Sequence, residues 1–392
     1  MPWKYCSIEE QRFELVRQVM AGTSTVVALC RRFGVVRQTA YKWLERYRRG
    51  RWQALSDRSR RPHRIGRQTT TRWLQRVRSW RERHPTWGAR KLQHCLRERF
   101  GPRGVPAVST INRWLHRWGL THGRPHRRRG PNVTVPALVS TVRRCHEVWT
   151  VDFKGWYRTA GGLRVEPLTV RDLYSRYGLC IALLRGQIVV EARQCFRRLF
   201  QQHGLPRRIR CDNGAPFGGG GPTGLTRLSA WWIKLGIQVE FITPGRPSEN
   251  GAHEQFHRVY QAEVAARPER TWRAQQARST RWLNQYNRQR PHEALGMKRP
   301  ADLFRRNRRR GTLRLKPWTY PKGWERCWVK SNGEILHHGV WRYVGEAFGR
   351  DAVGLKPIGT GLWRVYFGPV LIGELRENET GRLRMAHYRR AR

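Results

Sequence analysis

Three carboxylates stand where an acid side chain could do chemistry. Asp152 lies in WTVDFKG, a run that reads as a strand, with Trp149, Val151 and Phe153 alternating to the opposite face. A carboxylate set among apolar neighbours on a sheet is costly to bury unless a partner or a cation neutralises it. Asp212 closes the run IRCDNG, where Asn213-Gly214 turns the chain and leaves the acid at the end of the strand. Glu254 falls in the first turns of a helix entered through PGRPSENGAHEQF, with Pro244, Gly245, Pro247 and Gly251 shaping the approach and Ser248 available as a cap. A strand interior, a strand end and a helix start can converge at one rim of a sheet. Magnesium prefers carboxylate oxygens, and a pair of such ions suits in-line phosphoryl transfer. One ion lowers the pKa of water or a 3′-hydroxyl, and the other stabilises the leaving oxygen.

Each acid also has a plainer reading. Asp212 before Asn-Gly is a turn former. Glu254 and Arg258 stand one helical turn apart and can form an ion pair of small worth. Glu249 competes with Glu254, because a carboxylate at a helix N-terminus is favoured electrostatically without any catalytic role. Asp172, in DLYSRYG, reads as part of a turn between strands. Asp152 is the strongest of the set, since buried strands rarely contain an unpaired Asp. The residues by themselves leave the third place open between Glu249 and Glu254.

The elements that must position these acids begin near Val142. VWTVDFKGWY reads as a strand, and EPLTVRDLYSRYGLCIALL as two more around a turn at Asp172 to Tyr177. Ala192 to His203 is helical, RRIRCDNG a strand, Leu225 to Leu235 helical, IQVEFITPG a strand, and a long helix starts at Asn250. That order predicts an α/β core over 142–310, a mixed sheet flanked by helices. Residues 1–55 read as an all-α helix-turn-helix domain. Ser7 and Glu10 form a capping-box pattern, Phe13, Val16 and Met20 follow at helical spacing, and Ser24 caps a second helix. Gly34 turns the chain, and a third helix from Arg37 to Arg48 carries Ala40, Trp43 and Leu44 inward. Arg37, Gln38, Thr39 and Lys42 then face outward, as DNA-contacting residues of such a helix do. Residues 56–121 read as a second helix-turn-helix unit after a basic stretch, SDRSRRPHRIGRQ. Trp73, Leu74, Val77 and Trp80 share a face, a break follows at His84 to Gly88, and Ser109 caps the last helix. Residues 122–141 are a basic linker, and 311–392 a run of short strands sized for a small SH3-like β-barrel, with Asn332-Gly333 as a hairpin signal.

Composition bounds the partner. Lys and Arg number 79 against 27 Asp and Glu, a formal charge of +52 over 392 residues. Neutralising phosphates releases counterions, so a polyanion such as double-stranded DNA is the expected partner. No apolar run approaches the length of a membrane span, and the start lacks a signal-peptide core, so the expectation is a cytoplasmic, nucleoid-associated protein. The eight Cys are scattered singly, which fits reduced thiols. His84, His94, Cys95 and His116 lack the paired spacing of a zinc site.

Together VWTVDFKG, RDLYSRYGLCIALL, IRCDNGAPF, LGIQVEFITPGRPSENGAHEQFHR and YNRQRPHEALGMKRPADLF resemble the integrase-type DDE transposases of bacterial insertion sequences, relatives of retroviral integrases. ALCRRFGVVRQTAYKWL, DRSRRPHR and HPTWGARKL resemble that group's tandem helix-turn-helix region, so the likeness spans nearly the whole chain. The resemblance implies an RNase H-like catalytic core in which Asp152, Asp212 and Glu254 hold Mg²⁺, with Mn²⁺ able to substitute. In that family the acid after P-G-x-P-x-x-N-G-x-x is the catalytic one, which selects Glu254 over Glu249. It further implies binding of element terminal repeats and target DNA, 3′-end cleavage, strand transfer, and at least a homodimer on DNA. Two departures stand out. The interval from Asp212 to Glu254 is longer than is common among integrases, with the excess placed in GGGGPTG (218–224). Arg258 occupies a place where many relatives have Lys; either cation can contact a DNA phosphate, with different geometry. The nearest rivals are a regulator with dead chemistry and a nuclease that cuts without joining. Asn250 and Gly251 are expected to serve helix entry and the backbone turn.

Overall fold

Ser7 opens helix α1 (Ile8–Met20) in the computed structural model through a reciprocal box: its hydroxyl accepts from Glu10 N–H at 3.2 Å, and its own N–H donates to the Glu10 carboxylate at 2.6 Å. The structure describes residues 7–57, 71–121, 142–219, 221, 223–243, 250–307, 309, 315, 317–379 and 381–385. The segment 122–141, most of the basic stretch before it, and 244–249 with Ser248 and Glu249 lie outside the described residues. Contacts divide the chain into two compact units, Met1–Gln68 and Thr69–Arg392.

Among its described residues the first unit holds three α-helices and a short 3₁₀ helix, Trp52–Leu55. Leu15 and Val16 face its core, whereas Phe13 and Met20 are exposed, and Phe13 stacks on Trp52 at 4.7 Å. Helix α2 (Val26–Phe33) is capped by Thr25, not Ser24: the Thr25 hydroxyl accepts from Ala28 N–H at 3.3 Å. Gly34 ends α2 at φ 63°, a left-handed conformation that costs glycine little. Helix α3 (Arg37–Gly50) buries Ala40, Trp43, Leu44 and Tyr47.

The second unit begins with α4 (Thr71–Arg83), α5 (Ala89–Phe100) and α6 (Val108–Arg117), packed around Val77, Trp87, Leu92, Leu96, Ile111 and Leu115. Ala107 occupies the cap of α6 with no side-chain bond, so Ser109 lies inside the helix and not at its end.

A six-stranded mixed sheet follows: β1 (Val148–Phe153), β2 (Tyr157–Arg158), β3 (Arg164–Asp172), β4 (Gly178–Leu184), β5 (Arg208–Cys211) and β6 (Gln238–Phe241). β3 pairs antiparallel with β1, β2 and β4, while β1–β5 and β5–β6 are parallel. Strand alternation sends Trp149, Val151, Leu168 and Val170 into one core with α7 (Val189–His203) and α8 (Arg227–Lys234), where Phe196 and Trp232 are fully buried. A fully buried Phe of this kind contributes about 1.5–3 kcal/mol. The opposite face takes α9 (Gly251–Tyr260) and α10 (Trp272–Arg288), with Ile181, Phe256, Tyr260 and Trp282 between them. The long helix expected from Asn250 is thus two helices, separated by a π-turn at Gln261–Ala265 and a break. A short helix α11 (Pro300–Leu303) follows.

The C-terminal strands are β7 (Glu325–Trp328), β8 (Glu334–His337), β9 (Val340–Tyr343), β10 (Ala352–Gly359), β11 (Leu362–Phe367), β12 (Val370–Arg376), β13 (Gly381–Arg382) and β14 (Arg384–Met385). They form two sheets, β14-β12-β11-β10-β7 and β13-β9-β8, not closed into a barrel among the described residues. Asn332-Gly333 turns the chain between β7 and β8, but the tight antiparallel hairpin is β8–β9, which reverses at His338-Gly339.

Candidate active site

Asp152 and Thr169 are directly opposed in the β1–β3 register, and Thr150 opposes Arg171. The same alternation that buries Trp149 and Val151 therefore lays a polar strip under α9. Four ties hold the start of α9 to that strip. Arg171 donates to the Ala252 carbonyl at 2.6 Å while its guanidinium lies over the Phe256 ring at 4.7 Å. His253, fully buried, places Nδ1 2.9 Å from the Thr150 hydroxyl and Nε2 2.6 Å from that of Thr169. His257 Nε2 is 2.7 Å from the same Thr169 hydroxyl, and Asn250 donates from its amide to Asp152 Oδ2 at 3.3 Å.

The hydrogens in this cluster admit a consistent assignment. Thr169 donates its one hydroxyl hydrogen to the Asp152 carbonyl at 2.9 Å. Both histidines must then donate from Nε2 to the Thr169 oxygen, and Thr150 donates to His253 Nδ1. Both rings are neutral in this arrangement. Burial drives His253 well below its usual value and His257 down to about 3, the latter also opposed by the charges of Lys154 and Arg171. His257 Nδ1 is left as an acceptor facing Asp152 Oδ2 at 3.8 Å, too far for a direct hydrogen bond.

The three acids reach the site by different routes, and their carboxylate oxygens do not all lie within 4.8 Å of one another. Asp152 sits near the end of β1, half-buried. Asp212 follows the last residue of β5, whose turn is tied to the end of β6 by Asn213 donating to the Ile242 carbonyl at 2.9 Å. Glu254 is exposed in the first turn of α9. Burial pushes Asp152 up to about 7, the charge of Asp212 adds to it, its own neighbour's backbone N–H at Phe153 opposes it, and Glu254 raises it further. Burial also raises Asp212, against the backbone N–H groups of Gly214 and of Asp212 itself. Oδ1 of Asp212 is buried and has no hydrogen-bond partner. A carboxylate oxygen with no donor, beside a second carboxylate held near neutrality, is the electrostatic setting that a divalent cation relieves. The oxygen donor set suits Mg²⁺ or Mn²⁺. A Cβ at Gly214 would stand 3.3 Å from Asp212 Oδ2, close enough to press on that carboxylate.

Asp172, the other acid weighed from sequence, has a structural role. It is fully buried and accepts from His146 N–H at 2.7 Å, Ser175 N–H at 2.9 Å and the Ser175 hydroxyl at 2.6 Å. Arg258 is exposed on α9, and no ion pair joins it to Glu254 among the described residues. Arg37, Gln38 and Lys42 are exposed on α3, with Thr39 half-buried. Asn250 opens α9 as expected, but its side chain makes no cap bond and instead reaches Asp152. Sequence reasoning missed His253 and His257. Their spacing of one helical turn in AHEQFHR was the available signal, because it puts both rings on one face.

Two models described as "Integrase core domain" match residues 143–247 and 235–300. A "Helix-turn-helix domain" model matches 11–63, and a "Homeodomain-like domain" model matches 39–115. The chain is 27% identical over 223 residues to the insertion element IS407 uncharacterized 31.7 kDa protein of Burkholderia multivorans, covering 57% of this chain and 76% of that protein. It is 31% identical over 166 residues to the insertion element IS476 uncharacterized 39.2 kDa protein of Xanthomonas euvesicatoria, covering 40% of this chain and 44% of that protein. Among solved structures, the HTLV-2 integrase catalytic core domain in complex with magnesium aligns over 41% of this chain and 97% of that one, at 13% identity and TM-score 0.31. The simian T-cell lymphotropic virus intasome aligns over 76% and 98%, at 14% identity and TM-score 0.36.

Proposed function

The chain belongs to the integrase superfamily of DDE transposases, and from that premise we propose that Asp152, Asp212 and Glu254 form its catalytic metal site for 3′-end cleavage and strand transfer. The observation that carries this reading is the coupling of Asp152 to both other acids: Asp212 and Glu254 both push Asp152 upward, and Asp212 keeps an unpartnered buried oxygen. When bound, Mg²⁺ or Mn²⁺ supplies Lewis acidity that activates a water or 3′-hydroxyl and stabilises the leaving oxygen.

The chain's own residues prepare that chemistry. Asn250 fixes one oxygen of Asp152 by its amide, while Thr169 holds the Asp152 carbonyl from the neighbouring strand. Arg171 and His253 seat the first turn of α9, which sets where Glu254 stands. The outward residues of α3, Arg37, Gln38, Thr39 and Lys42, read the element's terminal repeats in double-stranded DNA, and Arg258 contacts a phosphate near the acids. Bringing two ends together requires at least a dimer on DNA, acting at the nucleoid in the cytoplasm. No helix among the described residues is long and apolar enough to cross a membrane.

The test is strand transfer in vitro with Mg²⁺ or Mn²⁺, using linear element ends and a supercoiled target. Joined products that disappear with Glu254→Gln support the reading. Specific binding to the ends with no cleavage in either metal would replace it with a regulator that has lost its chemistry.

A further inference from the structure

Far from these acids in sequence, the C-terminal strands bring together a different ligand set. Glu325 on β7 accepts at one carboxylate oxygen, Oε2, from two directions: His337 Nε2 lies 3.0 Å away and His338 Nε2 3.4 Å away. Among the described residues this is the one group of three His, Cys, Asp or Glu whose ligand atoms all lie within 4.8 Å of one another. Two ligands bound at 2.0–2.1 Å to a tetrahedral zinc ion stand about 3.3 Å apart, so both nitrogen–oxygen separations already match such an ion's edges.

Two further features favour a ligand over a surface ion pair. The second carboxylate oxygen of Glu325 accepts from Trp363 Nε1–H at 3.2 Å, the outer hydrogen bond that orients a ligating carboxylate. Trp363 also meets both imidazoles edge-on, at 4.7 and 5.2 Å, forming an apolar wall. The second feature is backbone strain. His338 adopts φ 47° and Gly339 φ 77° in the two-residue turn between β8 and β9, where Asn-Gly would be the favoured pair. A histidine there is held against its own preference.

We propose that Glu325, His337 and His338 form a site for a first-row transition-metal dication of the Zn²⁺ class, with a fourth position open to solvent. It is separate from the Mg²⁺-type acids, because imidazole selects Zn²⁺ where an all-oxygen set selects Mg²⁺. The two rings stack at 4.0 Å and 16°, with both Nε2 atoms turned to the same Glu325 oxygen. Glu325 belongs to the larger C-terminal sheet and the histidines to the smaller one, so the ion would pin β7 to the β8–β9 hairpin.

The experiment uses the full chain carrying Asp152→Asn and Asp212→Asn, which silences the other acids. Zn²⁺ is titrated in competition with a chromophoric chelator, and Co²⁺ is used as a spectroscopic probe. One equivalent of Zn²⁺ should bind, and Co²⁺ should give the intense visible absorption of a four-coordinate ion. Glu325→Gln and His338→Asn should each weaken Zn²⁺ at least tenfold, and Zn²⁺ should raise the thermal midpoint of the parent but not of the His338→Asn protein. Asn suits the left-handed turn, so His338→Asn keeps the hairpin folded. Equal Zn²⁺ affinity in the parent and His338→Asn proteins, or no bound equivalent at all, would overturn the proposal.

Discussion

The side-chain amide of Asn250 donates to the Asp152 carboxylate across 3.3 Å, so the residue that opens α9 also holds the acid on β1. A hydrogen bond to a charged group contributes about 1.5–3 kcal/mol. Asn250→Ala should therefore slow strand transfer roughly 10- to 100-fold. The thermal midpoint should fall by only several degrees, because Arg171, His253 and His257 still seat the helix. A rate within twofold of the parent would reduce Asn250 to helix entry alone.

Asp152→Asn should abolish cleavage and yet make the metal-free protein more stable. An acid whose folded pKa is raised binds more protons folded than unfolded, so stability falls as pH rises from its unfolded value near 4 through its folded value of about 7. Removing that charge at pH 8 removes the repulsion from Asp212 and Glu254. Urea unfolding at pH 8 in chelator should show a gain of about 1–2 kcal/mol, shrinking toward pH 4. A loss of stability at pH 8 would contradict the electrostatic account of the site.

Asp172 is predicted to matter for folding and not for chemistry. Asp172→Ala strands the His146 N–H and two Ser175 donors in a fully buried place. Leaving buried donors unpaired costs about 1–3 kcal/mol each, so a loss near 3–5 kcal/mol is expected by chemical denaturation. A catalytic defect at unchanged stability would show that the residue does more than anchor the turn.

Acid should destabilise the second unit through its buried histidines. Burial first, then neighbouring cations, lowers His292 to about 2 and His257 to about 3; burial and then His146 lower His203 to about 4. Each binds fewer protons folded than unfolded, so stability is full above about pH 6.5 and is lost as pH falls toward those values. Denaturant midpoints at pH 7 and pH 5 should differ clearly, with the lower midpoint at pH 5. His203→Gln, at a position of partial burial, should reduce the difference.

Local chemistry was legible in the sequence wherever the partners are a few residues apart. The Ser7–Glu10 box, the left-handed Gly34 and the alternation that buries Trp149 and Val151 follow from spacing, since backbone geometry alone brings those groups together. The caps at Thr25 and Ala107, in place of Ser24 and Ser109, show the reach of that logic: at α2 two adjacent polar residues compete, and at α6 the helix starts one residue before the polar candidate with no side-chain cap at all. The order of strands and helices likewise needed only periodicity, whereas Asp152, Asp212 and Glu254 as a set came from the resemblance to integrase-type transposases. The rest depended on contacts between distant segments. Asp172 read as a turn residue, but only the packed sheet makes it a buried anchor with three donors, and leaves Asp152 facing acids. Asn250 acquires its role from Asp152, and His253 and His257 theirs from Thr150 and Thr169, roughly a hundred residues away, because β1, β3 and α9 meet only after the sheet is assembled. Glu325 meets His337 and His338 for the same reason: the hairpin folds back over β7, and nothing in the spacing of those residues requires it.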